Sequence, residues 1–289
     1  MKISITRLSP VPAVLLSIIS VQGGAAIAKG LFPILGAGGA ASVRIGFSAL
    51  ILAVAVRPNL GKLNAGQWRA IVPYGLILGV MNLLFYCALA RVPMGLAVTL
   101  EFIGPLVLAL AGSRRALDIL WVVLAGAGIA LIAPWSRKGI DLLGLLFALA
   151  AGGCWAIYIL LSQRAGAKVP GQLAVTVGML VAAIPVLPFG LADGHLFAMT
   201  PFVLLLSLLL ALFSSVLPFS LEMQALRTMP PRTFSILMSL EPAVAALVGW
   251  WLIGEQLEPG QWLAVICIVI ASSGSALTVT KALPSADDH

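Results

Sequence analysis

Apolar runs about as long as a membrane is thick make up nearly the whole chain. A helix needs about 20 mainly apolar residues to cross the hydrocarbon core of a bilayer. Most of the 289 residues can be divided into runs of that kind with only short polar breaks between them. Hydrophobic residues are 61% of the chain and charged residues 9%, which leaves no stretch for a sizeable soluble domain. We therefore predict an all-α polytopic membrane protein.

The polar breaks predict ten transmembrane helices. Four prolines between 171 and 226 interrupt the pattern, so nine or eleven spans also fit the sequence. The first run could instead be a cleaved signal peptide, because Lys2 and Arg7 precede it and Ala26 and Ala28 suit a cleavage site. The ten predicted spans are 11–28, 35–56, 70–90, 94–112, 117–134, 142–162, 171–191, 202–226, 233–253 and 261–280.

The basic residues give an independent test of this division. With the N-terminus in the cytoplasm, twelve of the 17 lysines and arginines fall in cytoplasmic breaks and four fall outside. Cytoplasmic loops carry such an excess, so we predict that both termini are cytoplasmic. The net charge of +7 then mainly reflects topology, and the chain lacks the basic domain that nucleic-acid binding would need.

Similar short stretches recur in the two halves of the chain. ALARVP (88–93) is echoed by ALRTMP (225–230), and Leu-Glu at 100–101 is echoed by Leu-Glu at 240–241. These matches predict two five-helix repeats, 1–139 and 140–289. Because five is odd, the second copy enters the membrane from the opposite side. The predicted halves are therefore inverted repeats, as in many secondary transporters.

Three charged residues lie well inside the predicted spans: Glu101, Glu241 and Arg44. A charge at the bilayer centre costs about 3 kcal/mol on insertion scales and normally faces the bundle interior or a water-filled cavity. We predict that both glutamates line a shared cavity, with Arg44 as their charge partner. In the simpler alternative, Arg44 pairs with one glutamate, and Asn82, Gln22 or a hydroxyl holds the other only to fix helix packing.

Polar and aromatic residues inside the spans are further candidates for a substrate site. Trp155 and Tyr158 are three apart, and Asn82 and Tyr86 are four apart, so each pair can share one helix face. Helix packing alone is the alternative role for these residues. Glu222, by contrast, lies close enough to the predicted cytoplasmic end of its span to reach the interface.

Glycines and prolines within the spans have expected roles in packing and bending. Gly75 and Gly79 form a GxxxG step, which predicts a close helix contact. Pro105 and Pro242 each follow one of the deep glutamates and are candidate hinges.

The sequence lacks the patterns of an enzyme, a metal site or a disulfide framework. Residues 36–41 fit G-x-G-x-x-A, but no strand precedes them, and no Walker lysine, HExxH or GxSxG is present. The three cysteines and two histidines lack metal-ligand spacing, so we predict no cofactor and no metal.

A channel is the other alternative. Channels usually assemble several small subunits, whereas an internal repeat can enclose a cavity by itself, so we expect a monomer to be sufficient.

Several segments resemble one known family along nearly the whole chain. They include SVQGGAAIAKGLFPILGA (20–37), GGCWAIYILLSQRAGA (152–167) and GEQLEPGQWLAVICIVIASSGS (254–275). These segments are similar to bacterial amino-acid exporters of the drug/metabolite transporter superfamily, EamA type, and most to the threonine/homoserine exporter subgroup, with the aromatic amino-acid exporter as a relative. One departure is SRRALDILW (113–121), which has arginines where the family's signature has an acidic residue. Glu255 therefore has no expected twin.

The resemblance implies an inner-membrane carrier of ten helices that exports amino acids by alternating access. We expect small amino acids, with Glu101 or Glu241 meeting the ammonium and helix ends near 23–24 or 152–153 offering amides to the carboxylate. Drug efflux, and then a nucleotide-sugar or triose carrier, are the alternatives. Proton antiport and uniport fit the sequence equally well. The residues expected to bind substrate are Glu101, Trp155, Tyr158, Asn82, Tyr86, Gln22 and Glu241.

Overall fold

The structure is a computed structural model that describes residues 9–111, 116–132, 141–192, 199–226, 229 and 231–279. Both chain termini, the predicted repeat boundary at 139–140 and the last residues of three predicted spans lie outside these ranges. In the described ranges the chain is helical apart from short turns. The helices are α1 (Pro10–Val56), α2 (Ala65–Leu89), α3 (Met94–Glu101), α4 (Ile103–Ala111), α5 (Ala116–Ile132), α6 (Leu142–Gly166), α7 (Gly171–Ala192), α8 (Pro201–Ala211), α9 (Leu217–Leu226), α10 (Pro231–Met238), α11 (Glu241–Val248) and α12 (Pro259–Val279).

The helices have the length and the surface of membrane spans. In the described residues, six helical stretches are long and apolar enough to cross a bilayer, and three shorter apolar helices accompany them. Large apolar side chains such as Ile119, Phe202 and Trp251 are exposed on the outside of the bundle, where a soluble protein would present polar residues. The prediction of an all-α polytopic membrane protein is confirmed.

Helix α1 contains two of the predicted spans and a single break. At about 1.5 Å per residue its 47 residues correspond to about 70 Å of helix, more than twice the thickness of the hydrocarbon core, and they form two helical parts that meet at a kink. The one non-helical residue is Gly36, with φ 65° and ψ 173°, a conformation that glycine adopts without steric cost. The sequence placed the first break between 28 and 35, around Lys29. The structure places it at Gly36, and Lys29 lies inside the helix, where its charge pairs with Glu255.

Both deep glutamates lie where a helix is interrupted. Glu101 ends α3, and Glu241 begins α11 after a turn that follows α10. Proline has no N–H, so Pro105 cannot donate to the carbonyl of Glu101, and Pro242 cannot donate to the carbonyl of Met238. Each break therefore has a covalent cause in the sequence.

Glycines bring the helices around these breaks into close contact. A Cβ on Gly75 would lie 2.6 Å from the carbonyl oxygen of Gly178, so the close contact predicted for the GxxxG step is confirmed between α2 and α7. Similarly, a Cβ on Gly152 of α6 would lie 2.5 Å from the carbonyl oxygen of Glu101. The backbone of Glu101 is thus held directly against α6.

Two π-helical segments interrupt the helices of the second half. Leu212–Val216 joins α8 to α9, and Gly249–Ile253 follows α11. A single-turn π segment inserts one extra residue into an α-helix and is frequently found at functional sites. The first of these two segments lies against α1.

Candidate functional site

The two deep glutamates are buried and lack a direct counterion. Glu101 is 9% exposed and Glu241 is 7% exposed. Neither carboxylate has an ion pair within 4 Å in the described part of the chain. The two charges repel one another, and Glu222 adds to the repulsion at Glu241. The three acids therefore share one interior region between the helices.

Arg44 is the cation of this region, but it does not pair with a glutamate. Its Nη2 donates to the carbonyl oxygen of Ser214 at 3.1 Å, and its Cζ lies 5.5 Å from the centroid of the Tyr86 ring. Its positive charge attracts both Glu101 and Glu241 at longer range. Arg44 is thus held by a carbonyl and an aromatic ring, and not by the direct ion pair of the simpler alternative.

The candidates on α2 lie one turn apart and have different surroundings. Tyr86 is 1% exposed, and its hydroxyl lies beside Arg44 and Ser214. The side chain of Asn82 is also buried, but its Nδ2 donates to the carbonyl oxygen of Leu78 at 2.8 Å within the same helix. Tyr86 therefore contributes a hydroxyl next to the Arg44 guanidinium, whereas the donor of Asn82 is already used within its own helix.

Gln22 belongs to the same interior from the side of α1. It is 2% exposed, and its Oε1 has no hydrogen-bond partner among the residues described. Two positions on, a Cβ at Gly24 would meet the side chain of Ser214, so α1 passes very close to the π segment here.

The glycine pairs do not supply helix ends. The pair at 23–24 lies inside α1 and the pair at 152–153 lies inside α6, so the expectation that helix ends there offer amides to a carboxylate is wrong. Gly24 and Gly152 instead allow neighbouring helices to approach closely.

The two aromatic candidates on α6 have separate aromatic partners. The ring of Trp155 meets the ring of Phe102 edge-on, with centroids 4.8 Å apart, directly beside Glu101 in the chain. Tyr158 stacks on Tyr74 at 5.3 Å. Trp155 is thus part of the surroundings of Glu101, while Tyr158 packs against a more distant part of α2.

The sequence analysis underestimated some interior polar groups. Glu222 was expected to reach the interface, yet Ser17 Oγ donates to its Oε1 at 2.5 Å. Ser214 and Ser215 were not singled out, although both are buried with a side-chain oxygen that has no partner in the described ranges. Two adjacent serines in the apolar run LLLALFSSVL (208–217) are the signal that could have identified them.

An ion-pair cluster joins the two halves of the chain at one end of the bundle. Lys29 Nζ lies 2.5 Å from Glu255 Oε1, and Glu255 Oε2 accepts a hydrogen bond from the backbone N–H of Met94. At the same end, Arg91 pairs with Asp141 at 2.7 Å. Basic residues 29 and 91 are both on the side that the sequence predicted to be outside.

Buried acids, a guanidinium and free hydroxyls between lipid-length helices are characteristic of a membrane transporter. Comparison with known proteins gives the family. The profile of the EamA-like transporter family matches residues 142–277. The chain is 45% identical over 274 residues to the threonine/homoserine exporter RhtA of Escherichia coli strain K12, covering 94% of this chain and 92% of the relative. The chain therefore belongs to the EamA-like transporter family.

Other relatives agree with this assignment. The threonine/homoserine exporter RhtA of Salmonella typhimurium strain LT2 is 44% identical over 274 residues, with the same coverage. The uncharacterized transporter YwfM of Bacillus subtilis strain 168 is 29% identical over 243 residues, covering 80% of this chain and 81% of the relative. One solved crystal structure has a TM-score of 0.59 and 17% identity, covering 94% of this chain and 98% of that one, which shows the fold alone.

Proposed function

We propose that the protein exports small amino acids of the threonine and homoserine kind across the bacterial inner membrane. The observation that carries the proposal is the 45% identity, over nearly the full length of both chains, to a threonine/homoserine exporter. The buried charges support it. A zwitterion needs both signs of charge and little apolar area, and the interior holds Glu101, Glu241 and Arg44.

The proposed path is a central cavity that opens alternately to the two sides of the membrane. Glu101 or Glu241 meets the substrate ammonium, and Trp155, beside Glu101, bounds the side-chain pocket. Tyr86, Asn82 and Gln22 complete the lining, and Tyr158 closes it towards α7. Pro105 and Pro242 allow the helices to bend, because each removes a backbone hydrogen bond next to one of the acids.

The proposed architecture is ten spans in two inverted repeats, 1–139 and 140–289. Two observations support it: the EamA profile covers 142–277, which falls inside the second repeat, and both deep glutamates lie at helix breaks with a proline close behind. Both termini are then cytoplasmic, and one chain is sufficient for transport. Membrane-impermeant labelling of a cysteine added at each end would find the two ends on opposite faces if this topology is wrong.

Transport by the purified protein in proteoliposomes tests the function. Radiolabelled threonine and homoserine are expected to show saturable counterflow, and other small amino acids weaker counterflow. A proton coupling would make uptake depend on an imposed pH gradient, whereas uniport would not. Transport of a lipophilic cation but of no amino acid would contradict the proposal and favour drug efflux.

A further inference from the structure

Three polar groups around the π segment that joins α8 to α9 are buried and lie close to one another. They are Nε of Arg44, Oη of Tyr86 and Oγ of Ser214, none of which has a hydrogen-bond partner in the described part of the chain. The hydroxyl of Tyr86 lies beside both Arg44 and Ser214. A buried polar group without a partner is costly, so a cluster of three such groups is a candidate site for a polar ligand.

Arg44 is held in place, but some of its N–H groups have no acceptor among the described residues. Its Nη2 donates to the carbonyl oxygen of Ser214 at 3.1 Å, and the Tyr86 ring lies under its guanidinium at 5.5 Å. Nε and Nη2 lie on the same edge of a guanidinium, and Nη2 has a second hydrogen to donate. An edge of this kind binds a carboxylate with two parallel hydrogen bonds.

The π segment accounts for the orientation of these groups. Its carbonyls accept hydrogen bonds from side chains of α1: Ser20 Oγ donates to Phe213 at 2.7 Å, and Arg44 donates to Ser214. Gly24 leaves room for the side chain of Ser214 at the same crossing. The packing of α1 against the π segment therefore fixes the position of the Ser214 hydroxyl.

We propose that these three residues, Arg44, Tyr86 and Ser214, form the binding site for the substrate carboxylate. The proposal rests on amino-acid export as the function and assigns the anionic end of the substrate, with Arg44 supplying the charge and the two hydroxyls each donating one hydrogen bond. Glu101 and Glu241, which Arg44 does not pair with directly, remain free for the ammonium. One zwitterion can then bind the three residues with its carboxylate and a glutamate with its ammonium.

The first test uses the wild-type protein in proteoliposomes. Threoninol keeps the ammonium of threonine but replaces the carboxylate with a hydroxymethyl group. A site built to bond a carboxylate rejects an analogue that lacks it. We expect threoninol to inhibit threonine counterflow at least about a hundredfold more weakly than unlabelled threonine does. Equal inhibition by threoninol and threonine would overturn the carboxylate site.

The second test removes one donor at a time. Tyr86→Phe and Ser214→Ala are each expected to raise the KM for threonine about tenfold and to leave the inhibition constant of threoninol unchanged. Arg44→Lys is expected to reduce the preference for threonine over threoninol, because an ammonium cannot form the paired bonds. The matched control is Ser207→Ala, since Ser207 is a buried serine of α8 whose Oγ donates to Val203 of its own helix at 2.8 Å.

The outcomes separate this proposal from the function on which it rests. If the wild-type protein transports no amino acid, the function is wrong and the site falls with it. If amino acids are transported but each variant weakens threonine and threoninol equally, only the carboxylate site is wrong. If Arg44→Lys fails to insert, the wild-type comparison and the two hydroxyl variants still decide.

Discussion

At the scale of single residues, the buried carboxylates dominate the energetics of the interior. Removing a charge from water is costly, and a direct counterion or several hydrogen bonds normally offset that cost. Glu101 and Glu241 have no ion pair in the described residues, and they repel each other. Such an arrangement is unfavourable for stability alone, which is the reason to expect that a bound cation completes it.

Neutralising the acid that meets the ammonium should therefore impair transport without harming the fold. We expect at least one of the variants Glu101→Gln and Glu241→Gln to lower kcat/KM for threonine by about tenfold or more, because the ammonium loses a charged partner. Their melting temperatures should be unchanged or raised, because an amide is less costly to bury. Counterflow and thermal unfolding on the same preparations measure both effects.

The control for these variants is Glu258→Gln, at an exposed glutamate just before α12. It makes the same chemical change outside the interior and should leave counterflow unaltered. Normal transport by both interior variants would show that the two acids serve helix packing only.

Asp141 lies outside the predicted membrane spans, and its pKa predicts how the stability of the protein depends on pH. The hydrogen bond from Arg91 is the largest cause that holds the pKa of Asp141 below its ordinary value, and the N–H groups of Gly144 and Leu143 add to it. A lowered pKa in the folded state stabilises the protein above the unfolded pKa, and the stabilisation is lost as the pH falls through the lowered value. Asp141→Asn should therefore lower the melting temperature slightly at neutral pH and not at all in strong acid.

Asn preserves the N-cap of α6, so this substitution isolates the charge. Thermal unfolding in detergent at several pH values measures the difference. A difference between wild type and variant that grows on acidification would contradict the assignment.

At the scale of the elements, adjacent glycines of α6 have opposite environments. A Cβ on Gly152 would lie 2.5 Å from the carbonyl oxygen of Glu101, whereas nothing lies within 4 Å of a Cβ on Gly153. Pro105 has no N–H and cannot donate a hydrogen bond to that carbonyl. Helix α6 can approach the carbonyl this closely only because the facing residue, Gly152, has no side chain. The contact fixes the height of Glu101 relative to α6.

Alanine at the two positions should have opposite effects on stability. Gly152→Ala is expected to destabilise the protein by about 1–3 kcal/mol through overpacking. Gly153→Ala should stabilise it by up to about 1 kcal/mol, because alanine favours the helix and meets no neighbour. Thermal unfolding of the pair measures the difference, and similar effects at both positions would show that the crossing is not close.

At the scale of the whole molecule, the two halves are joined at one end by charge. Lys29 and Met94 of the first half both bind Glu255 of the second half, and the Lys29 ammonium also donates to the carbonyl oxygen of Val92 at 3.0 Å. The bonds are partly buried and short. The alternating access proposed above would require this end to open during each cycle, and these bonds would then have to break.

Cross-linking this end should therefore stop transport. In a background without the three native cysteines, Lys29→Cys combined with Glu255→Cys should lose counterflow on treatment with a short bifunctional thiol reagent that forms a reducible link. Reductant should restore it. Each single cysteine variant treated with the same reagent is the control, and undiminished counterflow in the cross-linked protein would show that this end does not open.

The sequence by itself determined the class of fold. A membrane core of fixed thickness demands apolar helices of a matching length, so run length alone located most of the apolar helices. It also identified two of the three interior acids, Glu101 and Glu241, because a charge in the middle of such a run is rare for a physical reason. The end of the first span was placed too early, since the charge of Lys29 resembles a loop residue until its partner is known.

Only the tertiary structure decided the partners of the interior residues. Arg44 bonds a carbonyl 170 positions away, and Lys29 bonds a carboxylate 226 positions away. The sequence order of apolar helices carries little information about such contacts, because many helix faces are chemically alike. The partners follow instead from where the backbones approach most closely, and glycines facing the neighbouring helix set that approach. The same packing brings Arg44, Tyr86 and Ser214 together and leaves Arg44 Nε and the two hydroxyls without a hydrogen-bond partner among the described residues, an arrangement that no local pattern in the chain predicts.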